Sequence, residues 1–156
     1  MAECFSTSTA TGVASGTDKT AINLFNPAAT PTTRGRIYKL IVGSVATPAD
    51  QAAKFYVGRT TAVGTEGSGF VPNNLDPVGP AGAYDSGIGV FSVEPTYTAN
   101  KQLLVFSVNQ RATFTWSALS DADEMQMAAT QNNGAGLKSS SSTSTQAHEA
   151  CIFFRE

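Results

Sequence analysis

Glycine, proline, asparagine and serine divide the chain into short strand-like runs, and helical periodicity is almost absent. The clearest run is "RATFTWSA" at residues 111–118, where Ala112, Phe114, Trp116 and Ala118 alternate with polar residues. Neighbouring side chains of a β-strand point to opposite faces, so this pattern predicts a strand with one buried and one solvated face. A series of such runs without intervening helices indicates an all-β fold.

Similar runs recur along the whole chain and predict eight or nine strands. They are "ECFSTST" and "TAINLF" near the start, "RIYKLIV" (36–42), "KFYVGRT" (54–60), "KQLLVFSVN" (101–109), "EMQMAAT" (124–130) and "AHEACIFFRE" (147–156). The nearly continuous apolar run at 36–42 predicts a strand covered on both faces. The one helical candidate is "TPADQAA" (47–53), where Pro48 could open a single turn. We therefore predict an antiparallel β-sandwich, and within that class a jelly roll.

The chain has 156 residues, of which 41% are hydrophobic, so it suits a single domain with a genuine core. We predict an N-terminal arm or edge strand over residues 1–19 and a β-sandwich domain over residues 20–156. The segment "KSSSSTSTQ" (138–146) has the composition of a linker, but a strand-like run follows it. We expect it to be an exposed loop or a hydroxyl-faced strand, with a disordered tip as the alternative.

The surface is expected to be neutral and rich in hydroxyl groups. Charged residues make up only 14% of the chain, Ser and Thr occupy 34 positions, and the net charge is -2. Nucleic acid is not expected as a partner, because binding it typically requires a basic patch. No apolar run approaches the roughly 20 residues that span a bilayer, so no membrane is expected either. The N-terminus "MAECFSTSTA" lacks the features of a signal peptide, which predicts synthesis in a cytoplasm.

The two cysteines, Cys4 and Cys151, lie near opposite ends of the chain. We interpret them as small buried hydrophobic residues, and a disulfide joining the first strand to the last is the alternative. Together with a single histidine they match no zinc-ligand spacing, so neither a metal nor a cofactor is predicted.

His148 is the only histidine, which removes many classes of enzyme. In a regular strand it shares a face with Ala150, Ile152 and Phe154, so we predict a structural role. No G-x-S-x-G motif is present, and "GSGF" lacks its spacing. No catalytic residue is predicted, and we expect the protein not to be an enzyme.

Three carboxylates cluster in "SDADEM", at Asp121, Asp123 and Glu124. Oxygen ligands of this kind suit calcium, but the glycine and the terminal glutamate of an EF-hand loop are missing. We interpret the cluster as a solvated turn and keep calcium binding as the alternative.

The stretch "GRTTAVGTEGSGFVPNNLDP" (58–77) is rich in glycine and follows a predicted strand. A phosphate-binding loop would need a lysine after its glycines, and a dinucleotide site would need a following helix. Neither is present, so we predict one long ordered loop from Gly58 to Gly89. Its apolar residues Phe70, Val71 and Leu75 are expected to pack on the domain or on a neighbouring subunit.

Arginine forms planar bidentate pairs and is enriched at interfaces, so exposed arginines are candidate contacts. The predicted interface residues are Arg34, Arg36, Arg59, Glu66, Phe70, Val71, Leu75, Asp76 and Arg111.

Four segments carry a resemblance to a known family. They are "RGRIYKLIVGSVATPADQAAKFYVGRTTAVGT", "LDP", "NQRATFTW" and "ATQNNGAGL". In these segments the chain resembles small virion proteins of tailed bacteriophages known as head decoration or capsid cement proteins. The resemblance spans roughly residues 20–156 and is weaker at 119–129. It implies a β-sandwich on the capsid exterior, often a homotrimer, with the major capsid protein as partner and no catalytic residues.

A second hypothesis is a carbohydrate-binding phage adhesin or tail-associated module, because jelly rolls also serve as lectins. The aromatic residues that could stack on sugar are Tyr38, Tyr56, Tyr84, Tyr97 and Trp116. A hydrolase is the third hypothesis, and the single histidine argues against it.

Overall fold

The protein is an all-β sandwich in which two antiparallel sheets pack face to face around one core. A computed structural model describes residues 3–8, 13–14, 18–45, 47–139 and 147–156. The predicted fold class is confirmed, whereas the jelly-roll connectivity stays a prediction.

The described residues form thirteen strands. In chain order they are β1 (Cys4–Ser8), β2 (Val13–Ala14), β3 (Lys19–Phe25), β4 (Arg36–Ser44), β5 (Ala52–Ala62), β6 (Ser68–Phe70), β7 (Asn73–Asn74), β8 (Asp85–Ile88), β9 (Thr96–Asn109), β10 (Phe114–Ser117), β11 (Met125–Gln126), β12 (Gly134–Ser139) and β13 (Ala147–Arg155). A 3₁₀ turn over Asp121–Asp123 precedes β11.

Long-range pairing builds both sheets. The seven-stranded sheet has the order β10-β4-β13-β1-β7, with β11 also paired to β4 and β2 to β13. The six-stranded sheet has the order β6-β8-β3-β12-β5-β9. The first strand, β1, therefore has a neighbour on each side, although residues 1–19 were expected to form an arm or an edge strand. In this order, β6 and β9 are the two edges of the six-stranded sheet.

Aromatic contacts and one hydroxyl pair join the two sheets through the core. Phe154 of β13 meets the edge of Tyr84, the residue before β8, with ring centroids 6.0 Å apart, and it also stacks on Phe5 of its own sheet at 5.5 Å. The hydroxyls of Thr7 and Ser86 lie 2.7 Å apart and connect β1 to β8 across the interior. Both hydroxyls are buried, and Ser86 Oγ also donates to the carbonyl of Phe70 at 2.9 Å, so the Thr7 hydroxyl relies on Ser86 for its hydrogen bond.

The alternating run predicted at 111–118 is confirmed over β10, the four residues Phe114–Ser117. Phe114 and Trp116 are half-buried against the core, and the intervening Thr115 and Ser117 are exposed. Residues 110–113 instead form the turn between β9 and β10.

The helical turn predicted at residues 47–53 is wrong. Ala52 already begins β5, where it pairs with Asn109 of β9, and the Gln110 N–H donates to the Gln51 carbonyl. Residues 51–53 therefore pair with β9, and residues 47–50 form bends rather than a helical turn. In the part of the chain that the structure describes, the 3₁₀ turn is the only helical element.

The long loop predicted from Gly58 to Gly89 is also partly wrong. Strand β5 continues through this region to Ala62, and β6, β7 and β8 lie within it. Gly58 is a strand residue covered by the Tyr97 ring, since a Cβ there would lie 2.9 Å from Tyr97 Cδ1. The glycine thus reflects close packing inside a sheet rather than loop freedom.

Two further segments match their predictions over only a few residues. The strand predicted at 124–130 is confirmed only over β11, the two residues Met125–Gln126. Beyond them the Met127 N–H donates to the carbonyl of Gly35, the residue before β4. In the segment 138–146, Lys138 and Ser139 belong to β12, and residues 140–146 lie outside the described residues.

Candidate interaction surfaces

The outer face of the seven-stranded sheet carries a row of half-buried apolar and aromatic side chains. We call Cys4, Tyr38, Ile41, Cys151 and Phe153 the outer sheet face. Their neighbours along β4 and β13 fill the core, so these five point away from it. The run at 36–42 was predicted to be covered on both faces. The chain itself covers only the inner one completely.

Aromatic packing organises this face. The rings of Tyr38 and Phe153 lie 6.3 Å apart, and Lys39 Nζ sits 5.3 Å from the centroid of Phe153. Burial raises the pKa of the Tyr38 hydroxyl, and the nearby Cys4 thiol raises it further. The tyrosine is therefore neutral at physiological pH, and the face is apolar with a basic side chain across it.

A cleft lies at each end of the outer sheet face. One, of about 340 Å³, is lined by Cys4, Tyr38, Leu119 and Arg155, among others. The other, of about 310 Å³, is lined by Ile41 and Cys151 together with polar residues of β1, β4 and β13. The outer sheet face is therefore bordered by concave regions as well as apolar, which suits a contact with another protein.

The two cysteines are free thiols on this face. In the β1–β13 register Cys4 pairs with Arg155 and Ser8 pairs with Cys151, so the thiols are four residues apart along the strands. Four residues correspond to about 13 Å, which exceeds the Cα separation of a disulfide. The alternative disulfide is therefore wrong, and the predicted burial is only partial. Burial nevertheless raises the pKa of the Cys151 thiol.

The acidic cluster predicted as a solvated turn is fastened by an arginine. Arg155 Nη2 lies 2.5 Å from Asp121 Oδ1 and 2.6 Å from Glu124 Oε1, and Ser120 Oγ donates to Asp123 Oδ2 at 2.8 Å. Among the described residues no group of three metal-ligating side chains comes together. Asp121 and Glu124 therefore act as ion-pair partners of Arg155 and hold the turn on β13.

Three of the four predicted arginines surround this acidic turn. Arg34 and Arg36 line a cleft of about 550 Å³ that also contains Asp121 and Arg155. Arg59 approaches from the six-stranded sheet and donates from Nη1 to the carbonyl of Gln126.

Arg111 is exposed in the β9–β10 turn, beside the end of β4 opposite to Arg36. The four arginines come from distant parts of the sequence, so their spacing alone could not show that Arg34, Arg36 and Arg59 lie around the same turn.

Leu119, which was not predicted, is the most exposed large hydrophobic side chain at 96%. It stands between the cleft that contains Tyr38 and a second cleft of about 340 Å³ that contains Trp116. Ala118 and Ser120 flank it in sequence, so no periodic signal marked it.

The remaining interface candidates lie in the glycine-rich segment and do not join the arginines. Phe70 packs against the core, whereas Val71 is 63% and Leu75 is 50% exposed. Asp76 accepts a hydrogen bond from the Val78 N–H at 3.0 Å and so supports its own turn. Glu66 lies over Gly87 on the outer face of the six-stranded sheet.

His148 faces the core from β13, as predicted. It is buried together with Ala150, Ile152 and Phe154, and its ring meets Phe55 edge-on at 4.9 Å. Buried contact with an apolar ring is consistent with a structural role.

Two of the five aromatic residues proposed for sugar stacking are sequestered. Tyr84 is fully buried and accepts a hydrogen bond from the Gly35 N–H at 3.0 Å. The Tyr97 hydroxyl lies 3.0 Å from Thr20 Oγ1, and burial raises the pKa of Tyr97. Trp116 is half-buried and lines its cleft with Leu103 and Leu104.

Comparison with known proteins finds no family model, no curated protein and no solved structure that matches the chain. Within the described residues, no helix is long and apolar enough to cross a membrane.

Proposed function

We propose that this chain is a structural, non-catalytic virion protein that binds the outside of a phage capsid and reinforces it. Its partner is the major capsid protein, and it acts as a homo-oligomer, most simply a trimer. The four segments that resemble decoration and cement proteins support this proposal.

The observation that carries the proposal is the outer sheet face. Tyr38, Ile41 and Phe153 stay half exposed on a sheet whose other side is a complete core. Aromatic residues are enriched in protein interfaces, and a buried strand is usually apolar on both faces. A capsid subunit that covers this face would complete the burial that the sequence at 36–42 indicates.

The rest of the surface is suited to repeated assembly. Only 14% of the residues are charged, so little charge has to be desolvated when a lattice of copies forms. Many weak contacts on a symmetric shell gain avidity without tight individual sites. A low-charge surface and one apolar face are therefore compatible with capsid reinforcement.

Capsid binding by variants of the outer sheet face tests the proposal. Phe153→Ser and Tyr38→Ser should reduce the occupancy of purified particles, measured by quantitative gel electrophoresis. Tyr56→Ser is the matched control, since Tyr56 is also half-buried but lies on the other sheet. Circular dichroism should show that all three variants keep the wild-type strand content. Full occupancy by both outer-face variants would contradict the proposal.

The second candidate function is carbohydrate binding, as an adhesin or tail-associated module. One observation favours it: Trp116 lines an open cleft beside polar Ser117 and Asp123. Sugars commonly stack on an aromatic ring that has hydrogen-bonding groups beside it. Quenching of Trp116 fluorescence by host glycans, with loss of host adsorption in Trp116→Ala particles, would favour this function over capsid binding.

A further inference from the structure

The two edges of the six-stranded sheet carry opposite charge. Strand β9 pairs only with β5, and β6 pairs only with β8, so each leaves one row of backbone groups without a strand partner among the described residues. Unpaired edges are templates for pairing with another chain, and soluble proteins usually protect them.

The β9 edge is long and poorly protected. Its second half, residues 102–109, reads "QLLVFSVN" and contains neither a charge nor a proline. Val105, in the middle of this stretch, is 47% exposed. The first half is interrupted where the register jumps between Gln102 and Tyr97, and Asn100 has a φ of 56°. The interruption limits pairing to residues 102–109.

Basic side chains flank this uncharged stretch. Lys101 precedes it, Arg111 follows it, and Lys54 lies beside it on β5, opposite Ser107. All three are exposed, and none forms an ion pair with another described residue. Two acidic groups lie near these three basic ones: Asp50 accepts a hydrogen bond from Asn109 Nδ2 at 2.5 Å, and Asp123 lines a cleft with Leu103 and Leu104. The β9 edge is therefore net basic.

Carboxylates and exposed valines mark the β6 edge. Glu66 precedes β6, Asp85 lies on the adjacent strand β8, and neither forms an ion pair within the described residues. Burial raises the pKa of Asp85, and the charge of Glu66 raises it further. Val71 directly follows β6, and Val93 pairs with Thr65 just before it. Their exposed fractions are 63% and 59%.

We propose that the β9 edge of one copy pairs with the β6 edge of a second copy, so that the six-stranded sheet continues from subunit to subunit. The inference rests on the proposed self-assembly and names its contact. Lys101 and Arg111 would neutralise Glu66 and Asp85 of the neighbour, and Val105 would cover part of its apolar edge. Because each copy offers one edge of each kind, the contact is head-to-tail, and a trimer is the simplest closed ring that such a contact forms.

Charge complementarity selects this pairing over two copies joined by β9 alone. An antiparallel β9–β9 contact would bring the basic residues Lys101 and Arg111 of both copies to one seam. Like charges placed opposite each other across strands are destabilising. The head-to-tail contact instead pairs a basic edge with an acidic one.

Charge reversal followed by rescue in the same chain tests the contact. We expect Lys101→Glu/Arg111→Glu, and separately Glu66→Lys, to raise the dissociation constant of the oligomer on the order of 100-fold. The chain that carries all three substitutions should recover the wild-type mass, because the reversed charges at positions 101 and 111 then face an opposite charge at position 66. Glu149→Lys is the matched control, since Glu149 is exposed and lies on β13 of the seven-stranded sheet. Masses are measured by light scattering after size exclusion, with circular dichroism as the check of folding.

Hydrogen exchange on the wild-type chain provides a readout that needs no variant. Outward-facing amides of residues 102–109 should exchange slowly in the oligomer and quickly after dilution to monomer. A monomeric wild-type chain, unchanged masses after charge reversal, or no rescue by the triple substitution would each overturn the inference. Capsid occupancy is measured separately, so a monomer that still binds shells would refute this contact and the homo-oligomer while leaving the proposed capsid binding standing.

Discussion

Two adjacent phenylalanines on β13 should respond very differently to truncation. Phe154 is fully buried between Phe5 and Tyr84, whereas Phe153 lies half-buried on the outer sheet face near Tyr38 and Lys39. The two side chains have the same chemistry and neighbouring positions. A comparison of their alanine variants therefore isolates the effect of facing the core.

The magnitudes follow from burial. Phe154→Ala removes a ring from a closed core and leaves a cavity, which costs about 3–5 kcal/mol of unfolding free energy. Phe153→Ala leaves no closed cavity, because solvent reaches the site. This variant loses only part of the free energy of transferring the ring out of water and a weak contact with Lys39, so its unfolding free energy should fall by about 1–2 kcal/mol. Against a typical total stability of about 5–15 kcal/mol, Phe154→Ala should remove a large share and Phe153→Ala a clearly smaller one.

Urea denaturation followed by circular dichroism measures both values. Equal losses for the two variants, or a larger loss for Phe153→Ala, would refute the assignment of Phe153 to the outer face. The slope of unfolding free energy against urea should match the wild type in both cases. A changed slope would mean that the variant altered the unfolded state as well.

Three further outcomes are expected. Ser86→Ala should lower the unfolding free energy by about 1–3 kcal/mol, because it leaves the buried Thr7 hydroxyl without its hydrogen-bond partner. Denaturation of the double variant with Thr7→Val should show a less than additive loss of unfolding free energy. Gly136→Ala should cost about 1–3 kcal/mol by the same assay, since its Cβ would lie 2.4 Å from Tyr97 Oη. The raised pKa of Asp85 means that its ionised form is disfavoured in the folded chain. Asp85→Asn should therefore raise the melting temperature of the monomer at pH 7 and leave it unchanged well below the ordinary aspartate pKa.

The sequence predicted those strands whose side chains alternate clearly. The residues His148, Ala150, Ile152 and Phe154 share a buried face because period-two alternation survives in β13. Strand β12 was missed because Gly134 and Gly136 resemble turn residues. Both are strand positions under close contact, and a Cβ at Gly134 would lie 1.7 Å from the Leu24 carbonyl oxygen. Such contacts arise between distant segments and leave no local signal.

The candidate surfaces were less predictable than the fold. Arg36 and Arg59 lie on different sheets, and they approach the same acidic turn only through pairing across the fold. The apolar residues Tyr38 and Ile41 of β4 suggested coverage on both faces, but in the structure both are only half-buried. A hydrophobic pattern does not distinguish a face covered by its own chain from one covered by a partner.

The most direct test of the central claim is electron cryomicroscopy of purified phage particles with and without this chain. The account predicts that sandwich density appears outside the shell only when the chain is present, with the outer sheet face against the capsid protein. It also predicts that particles lacking the chain lose shell stability while host attachment is retained. Identical shell density in both samples, or density confined to the tail, would contradict the account.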